Sequence, residues 1–227
     1  MRSPQCTFAT PAPISAVLDV PAGRIQIIAT DRTATTVEIR PADAGKSRDA
    51  KAVEGTTVEY RDGVLRVSAP AAKNQILGPS GTLEATLQVP AGSRIEVKAG
   101  GAEVRGVGRL GEVTVDGAYG TVKFDEAAGA RITAHGGDVT VGRLTGPAQI
   151  STGTGTIHIT DATTGALVLR TAMGDITVGT AAGVSATLDA STGYGRVHNA
   201  LRNTEGTTAG LTIRATTDRG DITARGR

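Results

Sequence analysis

The sequence of 227 residues is very poor in aromatic residues, with no tryptophan, two phenylalanines and three tyrosines. A core packed around large rings is therefore excluded, although 39% of the residues are hydrophobic and can still form a core. Such a core consists of small aliphatic side chains, which suits a narrow interior that is repeated along the molecule. The shortage of aromatics and the lack of a basic arm also argue against nucleic acid, which is bound by stacking and clustered cations.

Disulfides, long apolar runs and a strong net charge are lacking as well. Cys6 is the one cysteine, and the formal net charge is only +2. No stretch approaches the roughly 18 to 20 apolar residues of a membrane span. Residues 1–13 contain three prolines and lack the apolar segment of a secretory signal. We therefore expect a flexible tail over 1–13, no membrane span and a cytoplasmic protein.

Glycine and β-branched residues are abundant, and they indicate many short strands joined by tight turns. In residues 14–92 alternating segments at 14–20, 25–28 and 37–39 predict strands. Segments 57–60 and 64–67 flank Asp62-Gly63 and predict a hairpin, because this pair accepts positive φ. The polar stretches 41–56 and 70–82 are expected to be irregular, exposed insertions.

Residues 93–227 contain seven copies of one short unit. Each copy has an aliphatic residue that opens its second strand, at Val104, Val122, Val139, Ile157, Ile176, Val197 and Ile222. Two residues earlier, six of the seven copies have glycine, as a tight corner requires, at Ala102, Gly120, Gly137, Gly155, Gly174, Gly195 and Gly220. Each unit therefore consists of two alternating strands on either side of a corner. A short segment, the return, then leads to the next unit and has no aliphatic residue at a regular position.

A unit of about 18 residues cannot bury its own apolar side, but stacked units bury a continuous strip. The repeats therefore predict an all-β, single-domain β-solenoid over 14–227, with irregular rungs in 14–92 and seven regular rungs in 93–227. An up-and-down barrel or a sandwich of hairpins is the alternative. It accounts less well for glycines at one fixed position in each unit.

These repeats resemble a known family. The segment at 18–27, Leu-Asp-Val-Pro-Ala-Gly-Arg-Ile-Gln-Ile, and the repeated Gly-[Asp/Thr]-[Val/Ile]-x-[Val/Ile] motif are similar to the bacterial putative-adhesin domain of unknown function, from about residue 14 to 225. A segment similar to 18–27 occurs again at 87–97. The matching positions are structural glycines and aliphatics, so the resemblance implies a fold and brings no catalytic residue or cofactor.

The positions that differ between copies are the candidates for function. An outward column of the second strands carries Arg105, Lys123, Thr140, His158, Thr177, His198 and Thr223. This column could bind an anionic polymer or a protein partner, or it could be a solvated β face. Tyr119 and Tyr194 precede corner glycines, where they could contact a sugar or a protein or simply cover the corner.

Metal and carboxylate chemistry are not expected from the remaining polar residues. Sequential stacking places His158 and His198 two rungs apart, about 9 to 10 Å, which is too far for one shared metal ion. Asp138, Asp175 and Asp221 follow corner glycines, and paired carboxylates can hydrolyse glycosides. Acceptance of turn hydrogen bonds is the simpler role for them. We predict no catalytic, cofactor or metal site.

The sequence thus favours a non-enzymatic scaffold or interaction module. It would bind a protein or polymer through a face formed by stacked strands, such as the outward column of Arg105 to Thr223, or through the ends of the solenoid. Two alternatives remain: an enzyme with a groove between the insertions 41–56 and 70–82, and an exported adhesin that binds carbohydrate. A solenoid ends in unpaired backbone edges, so we also expect self-association through the C-terminal rungs.

Overall fold

The computed structural model describes residues 5–70 and 81–227, which form a 17-stranded sheet and one α-helix. The strands are β1 Gln5–Ala9, β2 Ser15–Thr30, β3 Ala34–Pro41, β4 Thr57–Arg61, β5 Val64–Ser68, β6 Leu83–Pro90, β7 Arg94–Tyr119, β8 Val122–Gly136, β9 Val139–Leu144, β10 Ala148–Thr154, β11 Ile157–Ala162, β12 Gly165–Met173, β13 Ile176–Thr180, β14 Ala186–Tyr194, β15 Val197–Ala200, β16 Leu211–Arg219 and β17 Ile222–Gly226. Helix α1 is Ser47–Glu54, and over the described residues no helix has the length and apolarity to cross a bilayer.

Parallel pairing between successive repeats confirms the predicted β-solenoid. Val104 lies opposite Val122, Val122 opposite Val139, and Val139 opposite Ile157. The first strands pair in the same way on another side of the coil, as in the pairing of β8 with β10 and of β10 with β12. One repeat therefore makes one coil, and its backbone hydrogen bonds go to the coils above and below it.

The last three coils do not follow the order of the sequence. Ile176 pairs with Ile222, and Ile222 pairs with Val197. On the other side β12 pairs with β16, and β16 with β14. The seventh repeat therefore lies between the fifth and the sixth, and the sixth forms the end of the solenoid. This corrects the sequential stacking that the repeats suggest.

Composition gives a physical reason for this order. The seventh repeat contributes Leu211, Ile213 and Ile222, all at most 2% exposed, so it suits an interior position. The sixth repeat has the polar Asn199 where the seventh has the buried Ala224. A coil with a polar residue at an inward position is tolerated best at an end, where only one of its sides is covered.

The core contains a column of inward side chains, four of them aliphatic and one a threonine, that the sequence does not reveal. The returns contribute a line of residues in register, none more than 1% exposed, at Leu110, Ala127, Leu144, Ala162 and Thr180. The expectation of a return without a regular aliphatic residue is therefore wrong, because the aliphatic members of this column lie in register in the structure. The number of positions between the residue that opens the second strand and the member of this column is not constant. It is six from Val104 to Leu110 and four from Ile176 to Thr180, so the column has no fixed period in the sequence.

The corner glycines are required by the close stacking of the coils. Gly155 has φ +136°, and a Cβ there would lie 2.2 Å from the carbonyl oxygen of Gly137. A row of threonines fixes these corners, because Thr171 donates its hydroxyl to the carbonyl of Gly155 and Thr217 donates to that of Gly174, both at 3.0 Å. The corners are thus held by van der Waals contact and by side-chain hydrogen bonds.

The N-terminal end is closed by antiparallel strands. β1 pairs with β3 and β3 with β6, while β4 and β5 form the predicted hairpin beside β2. The sequence predicts a flexible tail over 1–13, but Gln5–Ala9 is a strand. Two contacts hold this segment: the rings of Phe8 and Tyr60 are 5.3 Å apart, and the hydroxyls of Thr10 and Thr35 lie within 2.9 Å.

The first insertion is ordered around a buried carboxylate. Residues 47–54 form α1 rather than an irregular excursion, and Asp49 accepts the backbone N–H groups of Asp43 and Thr82 at 3.1 and 2.9 Å. Just before the helix, the N–H of Gly45 and then the Lys46 ammonium lower the pKa of the Asp43 carboxyl. The second insertion, predicted over 70–82, falls largely on residues 71–80, which lie outside the described residues.

The two similar segments, 18–27 and 87–97, do not occupy equivalent positions in the solenoid. Leu87 pairs with Ile27, and Ile95 pairs with Ala16. Corresponding residues of the two segments therefore lie on different sides of the coil. The likeness arises because every strand needs the same alternation and every corner the same small residues.

Candidate interaction surface

The outward column of the second strands forms a flat ladder, which we call the ladder face. Arg105 and Lys123 are neighbours on adjacent coils, and both are exposed. The half-buried Thr140, His158 and Thr177 follow in register. Past Thr177 the order is Thr223 and then His198. The face is therefore cationic at one end and carries threonine and histidine along the rest.

The altered coil order increases the separation of the two ladder histidines. His158 and His198 are separated by Thr177 and Thr223, so they lie three coils apart, about 14 Å at the usual strand spacing. The two-coil separation predicted from the sequence is wrong. Over the described residues no three His, Cys, Asp or Glu side chains are grouped closely enough to hold a metal ion.

The aspartates after the corners connect neighbouring coils. Asp138 accepts the backbone N–H of Thr156, Asp175 that of Asp221, and Asp221 that of Arg196, each at 2.8 Å. Asp175 and Asp221 belong to adjacent coils, because the seventh repeat lies next to the fifth. Because each carboxylate accepts a hydrogen bond from the next coil, the column acts as a structural clamp.

A line of side chains projects from the corners, and we call it the corner ridge. Its members in spatial order are Tyr119, Gly136, Thr154, Met173, Arg219 and Tyr194. Tyr119 is 68% exposed, Met173 49% and Tyr194 81%. Tyr119 partly covers the next corner, since a Cβ on Gly136 would lie 3.7 Å from its Cζ. Tyr194, at the terminal coil, projects most freely into solvent.

Two of the surface depressions in the described part of the chain bring charged side chains together. One is lined by small residues, Gly129, Pro147 and Ala166 among them, and by the charged side chains of Arg94, Glu112 and Arg131. Another, at the terminal coil, brings His198 near Asp221, but the Asp221 carboxylate already accepts from the backbone and the guanidinium of Arg196. A groove between the insertions stays a prediction, because residues 71–80 lie outside the described part.

These features define a repeat protein of the β-solenoid class with an exposed corner ridge and ladder face. The chain belongs to the Toastrack DUF4097 family, whose model matches residues 16–225. No curated protein matches it in sequence.

The chain is similar to solved structures of two bacterial proteins. A "putative adhesin" from Bacteroides fragilis has a TM-score of 0.62 and 14% identity, with 98% of this chain and 97% of that chain covered. A "putative cell adhesion protein" from Clostridium sporogenes has a TM-score of 0.41 and 12% identity, with all of both chains covered. At 14% identity the likeness to the Bacteroides fragilis protein shows the fold alone.

The sequence places some of these surface residues correctly and misses others. Arg105 and Lys123 lie side by side, and Tyr119 and Tyr194 stand on one ridge, as the repeat alignment implies. Met173 falls in the same aligned column but gives no signal of its own, since methionine is usually buried. The exposure of Val197 could not be foreseen, because sequential stacking would cover it.

Proposed function

We propose that this protein is a non-enzymatic, adhesin-like interaction module that binds an extended partner along the corner ridge and the adjoining ladder face. One observation carries the proposal. Five large hydrophobic side chains are prominently exposed in the described part of the chain, and three of them, Tyr119, Met173 and Tyr194, lie on this single ridge. Exposed apolar groups in one line on a soluble surface are typical of interaction sites.

The shape of the ridge favours a long ligand. Tyr119 and Tyr194 are five coil steps apart, which corresponds to about 24 Å at the usual strand spacing. Tyrosine rings offer flat apolar area with a polar tip, which suits both sugar rings and polypeptide. Arg219 lies between Met173 and Tyr194, and Arg105 and Lys123 add cations nearby. A polysaccharide or an extended protein segment with acidic groups matches this pattern.

Replacing ridge residues tests the proposal. We expect the double substitution Met173→Ser with Tyr194→Ser to weaken binding at least ~10-fold, because truncation of a central interface residue such as a tyrosine costs about 2 kcal/mol. Binding is measured on a glycan array and against bacterial surface extract, with partners identified by mass spectrometry. The adhesin name of the Bacteroides fragilis protein is the reason for including glycans.

Val168→Ser is the matched control, because Val168 is a 43% exposed hydrophobic side chain of the first strands, away from the ridge. A partner that binds the native protein, the ridge variant and the control equally would contradict the proposal. Fractionation of cells that express the native gene then distinguishes the cytoplasm, which we propose as the location, from the cell surface.

A further inference from the structure

The coil formed by β14 and β15 ends the solenoid in an open sheet edge. In the described part of the chain β14 pairs only with β16, and β15 only with β17. Inward side chains at this edge are incompletely covered: Leu188 is half-buried and Val197 is 46% exposed. Their neighbours one coil inward, Ile213 and Ile222, are at most 2% exposed. The apolar strip of the core therefore continues to the surface here.

This edge lacks the usual protection against pairing. Residues 186–200 contain no lysine and no proline, the residues that commonly block strand edges. The charged residue within β14 is Asp189, and Arg214 lies 3.1 Å from its carboxylate. The opposite end differs, because its outer strands β1 and β4 have five residues each, and β4 carries Glu59 and Arg61. The end formed by β1 and β4 is thus protected against further strand pairing, whereas the end formed by β14 and β15 is open to it.

The geometry of the edge restricts what can cover it. β14 and β15 lie on different sides of the coil and are joined by a corner at Gly195, with φ +153°. A single extended peptide can cover one of these strands. Covering both requires two strands joined by a similar corner, which is the shape of another coil of this chain.

We propose that a second copy of this chain seats on β14 and β15 and forms a head-to-head dimer with two-fold symmetry. A two-fold axis through the corner at Gly195 pairs β14 of each copy antiparallel with β15 of the other copy and brings the exposed apolar residues of the two copies together. No row of like charges opposes itself, because β14 and β15 carry one carboxylate, Asp189, and one imidazole, His198, while the guanidinium of Arg196 between them lies 3.5 Å from the Asp221 carboxylate. Such an interface is closed, so it yields a dimer and not a fibre. This surface adjoins the ridge of the proposed function, because Tyr194 is the last residue of β14, but Leu188 and Val197 are not ridge residues.

The test is the mass of the full chain in solution. The monomer mass is 22.9 kDa, and light scattering after size-exclusion chromatography at ~1 to ~200 μM is expected to show a concentration-dependent shift to twice that value. Val197→Lys is expected to raise the dissociation constant by about 100-fold, because it places two ammonium groups in a dehydrated contact. Leu188→Lys tests the other strand.

Thr187→Lys is the matched control, since Thr187 pairs with the exposed Thr212 on the outward side of β14. It adds the same charge to the same strand and is expected to leave the dimer intact. Circular dichroism checks that each variant is folded, and Val197→Lys is tolerated in the monomer because the side chain already reaches solvent. A native chain that stays monomeric throughout, or a dimer that survives Val197→Lys, overturns the proposal.

Discussion

Replacing Gly174 with alanine is expected to lower the free energy of unfolding by about 4 kcal/mol, a large part of the stability of an ordinary domain. Gly174 has φ +146°, and a Cβ would lie 2.1 Å from the carbonyl oxygen of Gly155. The methyl group can fit only if two coils separate at the corner, which would also weaken the hydrogen bond from the Thr217 hydroxyl to Gly174.

Gly183→Ala provides the control for this substitution. Gly183 also has positive φ, +79°, but no atom lies within 4 Å of the position of its Cβ. Only the backbone cost of about 1 kcal/mol is expected there. Urea unfolding followed by circular dichroism gives both values, and the absence of tryptophan makes this signal preferable to fluorescence. Equal losses in the two variants would mean that corner stacking does not require glycine.

Removing residues 211–227 is expected to unfold the terminal coil as well as the deleted one. β14 and β15 have their pairing partners in β16 and β17, so the truncation leaves both without a neighbouring strand. Hydrogen exchange measured by mass spectrometry should show amides of 186–200 exchanging at least ~100-fold faster, since edge and unpaired amides are protected least.

The N-terminal coils supply an internal control for the truncation. Coils of a solenoid contact only their neighbours, so residues 15–30 and 94–110 are expected to keep their protection. Unchanged protection at 186–200 would contradict this expectation, because it would mean that the sixth repeat stacks directly on the fifth once the seventh is removed.

The sequence predicts the solenoid because the fold imposes the same local demand on every coil. Most corners leave room only for glycine, as at Gly155, and inward positions favour apolar side chains, as at Ile157. Because the coils share these constraints, the same residue types recur in the sequence. The order of the last coils could not be predicted in this way. Any coil can stack on any other, and what distinguishes them is a few side chains such as Asn199 together with the length of the connection at 201–210.

Other features were hidden because they depend on distant contacts or variable spacing. The strand at Gln5–Ala9 is fixed by Phe8 against Tyr60, residues far apart in the sequence. The candidate surface was predicted in part, since alignment finds the columns that contain Arg105 and Tyr194. Exposure decides which residues in a column can bind a partner, and exposure at Val197 follows only from the coil order.

A pair of engineered disulfides tests that coil order most directly. In a Cys6→Ser background, Thr177→Cys with Thr223→Cys places cysteines on paired positions of adjacent strands, about 4.8 Å apart, within the range that a disulfide spans. Thr177→Cys with His198→Cys places them two strands apart, at about 9.6 Å, which is too far. After oxidation, peptide mapping by mass spectrometry should show the 177–223 bond in high yield and no intrachain 177–198 bond. A 177–198 bond without the 177–223 bond would contradict the insertion of the seventh repeat between the fifth and the sixth.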